Sequence, residues 1–180
     1  MACSNSDRRV SPEDRGQLPL GKSIRSEAFN LSFGKLLDDY YALKESFIAD
    51  DQDTIINHLA GTMAASADSL RLSGIKADSS IIIDAGVYAG SISAELKGLA
   101  GETTPEAKRR SFQMVSDELY DLIRIVGYDR AVIYRLYCPM AFEDHGASWL
   151  SNSPVIRNPY LPKKMPACGE VKDTLGMINR

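Results

Sequence analysis

Residues 29–48 read Phe-Asn-Leu-Ser-Phe-Gly-Lys-Leu-Leu-Asp-Asp-Tyr-Tyr-Ala-Leu-Lys-Glu-Ser-Phe-Ile, and their spacing decides the fold class. Phe33, Leu36, Leu37, Tyr40, Leu43, Phe47 and Ile48 recur at steps of three and four, which places them on one face of a helix. Asp50, Asp51 and Asp53 interrupt the pattern and suit the N-cap and first turn of a second helix, where short acidic side chains meet free amides and the positive dipole end. A second stripe follows through Ile56, Leu59, Ala60, Met63, Ala67 and Leu70 and stops before Gly74.

A third stripe, Ile82, Ala85, Tyr88, Ile92, Leu96 and Leu99, ends among Gly98 and Gly101; its continuation through Leu99 favours helix over a buried strand at Ile81–Ile83. Thr103-Thr104-Pro105-Glu106 is a helix start: a threonine hydroxyl caps, proline fits the first helical position and glutamate complements the dipole. Phe112, Val115, Leu119, Leu122, Ile123 and Val126 line this fourth helix, and Gly127 closes it. None of the four stripes is stable alone in water, so short turns between them imply an antiparallel, up-down four-helix bundle. The Met and aromatic residues on these faces are core. Asp38, Asp39, Glu45 and the Lys108-Arg109-Arg110 run read as solvated faces.

The 180 residues fit one domain with a tail. With 44% apolar residues the chain forms a core, and 25% charged residues do not suggest disorder. A formal charge of -3 gives no basic stripe for a nucleic acid, and no apolar run reaches the roughly 20 residues of a membrane helix. Residues 1–27 are polar and broken by Pro12, Gly16, Pro19 and Gly21, a flexible leader before one domain over 28–180. Within the leader, Ala2-Cys3-Ser4-Asn5 is what a bacterial lipoprotein shows after its apolar signal half is removed; a lipid on Cys3 would tether the domain in an export compartment. The competing reading is an accidental cysteine near the start.

Beyond Gly127 the character changes, and residues 128–176 read as a small two-stranded β-ribbon with an irregular loop. Ala131 to Tyr137, Ala-Val-Ile-Tyr-Arg-Leu-Tyr, is the first strand. It runs into Cys138-Pro139-Met140, and Met165-Pro166-Ala167-Cys168-Gly169-Glu170-Val171 leads into the second. Cys138, Met140, Met165 and Cys168 form a pseudo-symmetric set of four soft donors suited to Cu(I), with His145 as an additional imidazole and Trp149 as a shield. The alternatives are a Cys138–Cys168 disulfide, which in an oxidising compartment staples the ribbon and excludes a thiolate site unless redox state switches between them, and a pair of buried free thiols; Met140 and Met165 taken alone read as packing more readily than as ligands. With the disulfide the domain is a non-catalytic interaction module presenting Trp149, Asn158 and Tyr160. Cys138 with His145 resembles a thiol and base, but no Cys-x-x-Cys, P-loop, Gly-x-Ser-x-Gly or zinc-protease signature accompanies them, so catalysis is not expected.

Cys138-Pro139-Met140-Ala141, Trp149-Leu150-Ser151, Ile156-x-Asn158-Pro159-Tyr160 and Met165-x-x-Cys168-Gly169 together resemble an uncharacterised bacterial domain. That domain occurs alone in exported proteins and fused to periplasmic adaptors of copper/silver efflux systems. Tyr41, Leu43, Lys44, Asp50 and Asp51 carry a looser likeness in the helical part, so the resemblance spans about residues 30–175. Leu161-Pro162 departs from the aromatic and glycine expected there, which bears on the loop's turn geometry. The resemblance implies a periplasmic or envelope setting and efflux components as partners, with no nucleic acid.

Overall fold

The computed structural model describes residues 23–176. The proposed lipidation at Cys3 and most of the leader fall outside these residues. The chain is mainly helical, with a small antiparallel sheet at its C-terminal end. Helix α1 spans Glu27–Ala49, α2 Asp53–Asp68, α3 Ser79–Gly101 and α4 Pro105–Val126, and a 3-10 turn, Leu72–Ile75, precedes α3. Each long helix packs on the next in sequence.

Residues 23–27, read as part of the leader, make defined contacts. The Ser26 N–H donates to the Gly74 carbonyl at 2.8 Å, and Arg25 Nη1 donates to the Ile75 carbonyl at 2.8 Å. Ser26 also caps α1 by accepting from the Phe29 N–H at 3.1 Å. The acidic cluster is arranged differently from expectation. Asp50 closes α1 in the left-handed region (φ 56, ψ 47), Gln52 occupies the N-cap of α2, and only Asp53 lies in its first turn. Gly98 does not stop α3, which continues to Gly101.

Thr104 caps α4 as its sequence indicates: Oγ1 accepts from the Ala107 N–H at 3.1 Å, with Pro105 in the first turn. Thr104→Ala is expected to lower unfolding free energy by about 1 kcal/mol in urea denaturation, and Thr104→Ser to restore most of it. A Thr104→Ala variant as stable as wild type would remove the cap from the account.

The apolar stripes meet in one core that includes Phe33, Leu36, Tyr40, Met63, Ile92, Phe112 and Leu119, all with no exposed surface. Rings join its layers. Tyr40 of α1 stacks on Phe112 of α4 at 5.3 Å, and Phe47 approaches the same ring at 4.9 Å. Lys108 is a correction to the solvated-face reading. It is 1% exposed, and its ammonium donates to Asn57 Oδ1 at 2.8 Å and to the Leu99 carbonyl at 3.3 Å. A buried cation is tolerable when its protons find oxygen acceptors, here on α2 and at the end of α3.

The sheet has three strands, not two. Strand β1 is Ile133–Cys138, β2 Ala147–Ser151 and β3 Glu170–Leu175, in the spatial order β2-β1-β3. Both pairings are antiparallel, with Leu136 opposite Trp149, Cys138 opposite Ala147 and Tyr137 opposite Glu170. The segment read as an irregular loop therefore supplies an edge strand. It pairs because Trp149 and Leu150 are both buried, which outweighs the weak strand tendency of Ala-Ser-Trp-Leu-Ser. The Leu150 N–H donates to the Tyr40 hydroxyl at 2.9 Å; Tyr40 in turn bonds Ser116 Oγ at 2.8 Å, and Ser116 donates to the Phe112 carbonyl at 2.7 Å. This relay fixes β2 on α1 and α4, and burial pushes the Tyr40 hydroxyl's pKa far up.

Candidate functional site

Cys138 ends β1 with no exposed surface, and Cys168 lies two residues before β3, partly buried. The β1–β3 register that sets Tyr137 against Glu170 carries Cys168 back beside Cys138. The two thiols are unbonded neighbours. Burial, followed by the neighbouring Cys138 thiol, holds the Cys168 pKa above its ordinary value; the Met140 amide opposes this. Residues 30 positions apart thus meet.

The segment between β2 and β3 is held by Asn158, which is 1% exposed. Its Oδ1 accepts from the Tyr160 N–H at 2.8 Å and the Leu161 N–H at 3.1 Å, and its Nδ2 donates to the Cys168 carbonyl at 3.1 Å. The Asn158 N–H donates to the Pro166 carbonyl at 3.0 Å, and the Cys168 N–H to the Met165 carbonyl at 3.1 Å. Trp149 (1% exposed) lies against this return: a Cβ on Gly169 would sit 2.9 Å from its ring, so only glycine lets the indole approach. Tyr160, 5% exposed, meets Trp149 edge-on at 5.9 Å. Trp149, Asn158 and Tyr160 are therefore core, not a presented surface: Trp149 packs the sheet, Asn158 ties the segment and Tyr160 fills the space above Phe112.

Met140 and Met165 are 43% and 40% exposed and line one groove of about 790 Å³. Phe142, Tyr160 and Leu161 supply its apolar wall. Its polar rim was not foreseen. Arg109 Nη2 bonds Asp50 Oδ1 at 2.6 Å, Lys163 Nζ bonds Asp50 Oδ2 at 2.5 Å, and Arg109 Nε donates to the Pro159 carbonyl at 3.0 Å. Lys163 and Arg109 together hold the Asp50 carboxyl below the usual carboxylate range. Separations of 59 and 113 residues leave no sequence signal for this cluster.

His145 is not brought to the thiols in a ligand set. It is exposed, its Nδ1 lies 2.7 Å from the Phe142 carbonyl, and no group of three or more His, Cys, Asp or Glu able to hold a metal occurs among the described residues. Its position follows from the turn Ala141–Asp144, where Phe142 (φ 51), Glu143 (φ 57) and Asp144 (φ 67) are all left-handed and bend His145 back on the turn.

Among the described residues no helix is long and apolar enough to cross a membrane. Comparison with curated proteins and with solved structures gives no match. Residues 36–131, more than half of the chain, match a family model described as a protein of unknown function (DUF3347). The match runs from α1 to Ala131 and stops before β1, so the sulfur-bearing third lies outside it. On that match, the chain belongs to the DUF3347 family, an uncharacterised domain family.

Proposed function

We propose that this chain is a non-catalytic accessory domain that binds a soft monovalent metal, Cu(I), through the Cys138 and Cys168 thiolates. Two unbonded thiols brought side by side by the β1–β3 register, one of them fully buried, carry the reading. Two polarizable sulfurs at one point suit a soft d10 ion, and Trp149 packed against Gly169 keeps water from one side. The raised Cys168 pKa speaks against a nucleophilic thiol, which needs thiolate at neutral pH. A metal ion is different, since coordination displaces the thiol proton. The setting that follows is the periplasm or cell envelope, with metal-efflux components as partners and a lipid on Cys3 as an anchor. The four long helices are taken as an antiparallel up-down bundle that carries the sheet.

The test is a thiol count and a Cu(I) titration against a competing chelator, in a Cys3→Ser background. Two reactive thiols and one tightly held Cu(I) per chain are expected, with uptake lost in Cys138→Ser/Cys168→Ser. Because Cys138 and Cys168 each release a proton on coordination, apparent affinity is expected to rise with pH by up to about a hundredfold per unit while both are protonated. Two free thiols without Cu(I) uptake would end this reading.

The second reading, a disulfide-stapled interaction module, draws on the same pair. Joining Cys138 to Cys168 closes a loop of about 30 residues, about 3.6 kcal/mol of stability in the chain-entropy model. It needs a docking surface other than Trp149, Asn158 and Tyr160, which are buried.

A further inference from the structure

We propose that the groove beside α4 binds a small organic acid, one carboxylate on an apolar alkyl or aryl body, and that Asp50 holds the place of that carboxylate in the free protein. The inference stands apart from the metal reading, because neither Cys138 nor Cys168 lines the groove. A cavity of about 790 Å³ with an apolar wall and a few convergent charges is the usual form of a small-molecule site. Phe142, Tyr160 and Leu161 form the wall, and Met140 and Met165 edge it with flexible side chains that adapt to bodies of different shape.

The charged end is already shaped for a carboxylate. Asp50 sets one oxygen on each of two cations: Oδ1 lies 2.6 Å from Arg109 Nη2, and Oδ2 lies 2.5 Å from Lys163 Nζ. A planar carboxylate therefore fits between them. The two cations are held differently. The Arg109 side chain is 12% exposed and is fixed by its Nε bond to the Pro159 carbonyl at 3.0 Å and by the Phe47 ring 5.8 Å from its guanidinium, so it stays in place when Asp50 leaves. The Lys163 side chain is 79% exposed and follows whichever carboxylate is present. Asp50 ends α1 as its left-handed C-cap with its side chain one-third exposed, so a rotation about χ1 carries the carboxylate into water.

The charge balance fixes the sign of the ligand. The lining carries Arg109, Lys163 and Lys164 against Asp50, Glu106 and Glu143. Glu106 is matched by Arg110 at 2.8 Å. With Asp50 turned away, three cations face one remaining carboxylate, Glu143, and the groove draws an anion. An inorganic anion leaves the apolar wall wet, and a neutral apolar molecule leaves Asp50 on its cations. A molecule with both parts uses the whole groove. Binding is then an exchange of ion pairs: the ligand's carboxylate replaces Asp50 on Arg109 and Lys163, and Asp50 gains water.

The test titrates decanoate into the full, reduced chain and follows backbone amide shifts by NMR, with decanol and acetate as controls. Decanol carries the body without the charge, and acetate the charge without the body. Decanoate is expected to bind at least about tenfold tighter than either, with shifts confined to Asp50 and residues 104–109, 140–143 and 159–165. Asp50→Asn removes the competing carboxylate yet keeps a residue that accepts the left-handed cap, and should tighten decanoate binding by about fivefold or more. Lys163→Glu, at an exposed position, should weaken it by about tenfold while leaving the thermal melt unchanged. An Asp50 that only tied the loop would give the opposite sign, since its loss would loosen the groove and weaken binding. Decanol binding as tightly as decanoate, shifts spread over exposed apolar side chains such as Ile83 and Val87 of α3, or no tightening in Asp50→Asn would each overturn the proposal. The dithiol reading stands or falls separately, on its Cu(I) titration.

Discussion

Trp149→Ala is expected to lower the unfolding free energy by about 3–5 kcal/mol, the usual range for truncating a large buried aromatic. Trp149 is the largest fully buried side chain, 1% exposed, and it sits where three parts of the molecule meet. Within β2 it lies opposite Leu136 of β1; its ring touches the space over Gly169 ahead of β3; and Tyr160 meets it edge-on at 5.9 Å. No neighbour can collapse into the cavity easily, because Tyr160 is itself tied by its hydroxyl to the Ser148 carbonyl and Gly169 has no side chain. Against a typical total of about 5–15 kcal/mol, the change should cut the urea midpoint sharply and lower Tm by about 6–20 °C for a domain of this size. Trp149→Phe keeps an aromatic body and should cost less than half as much. A loss under about 1 kcal/mol for Trp149→Ala would mean that β2 is not packed as described.

The helices were legible because a helix facing a core writes its period into the sequence. Phe33, Leu36, Leu37, Tyr40, Leu43 and Phe47 of α1, and Phe112, Val115, Leu119, Leu122, Ile123 and Val126 of α4, are all buried as their spacing requires. The meeting of Cys138 with Cys168 was legible for a related reason: each adjoins a strand-like run, and pairing such runs brings their ends together. What the sequence concealed is what depends on distant partners. Lys108 looks like one of three solvated cations until Asn57 and the end of α3 are placed around its ammonium. Trp149, Asn158 and Tyr160 looked like a docking loop because aromatic and turn residues in an irregular stretch suit recognition. Tyr160 is buried over Phe112 of α4 and Trp149 lies opposite Leu136 of β1, both more than ten residues away in the chain, while Asn158 is held by its own segment. The left-handed run at Phe142–Asp144 carries no glycine until Gly146, so residue types gave no hint of it.

The other large effect falls on Asn158, and it separates stability from function. Asn158→Ala removes three hydrogen bonds at once and leaves the Tyr160 and Leu161 N–H groups and the Cys168 carbonyl without their partner. Each buried group so orphaned costs about 1–3 kcal/mol, and half-buried Leu161 regains water in part, so a total near 3–4 kcal/mol is expected from urea unfolding. Below that global loss lies a local one. The bond to the Cys168 carbonyl is what ties the return segment at the thiol pair, so without it Cys168 opens to solvent more often than the helices unfold. Alkylation of Cys168 under native conditions should therefore speed up by about tenfold or more, ahead of any change in helical circular dichroism. Asn158→Asp tests the directional part. Its carboxylate still accepts from Tyr160 and Leu161 but sets an oxygen against the Cys168 carbonyl, so the thiol should be released while much of the turn survives. If both variants alkylate Cys168 no faster than wild type, Asn158 holds only the turn, and the position of the thiol pair is set by the β1–β3 register alone.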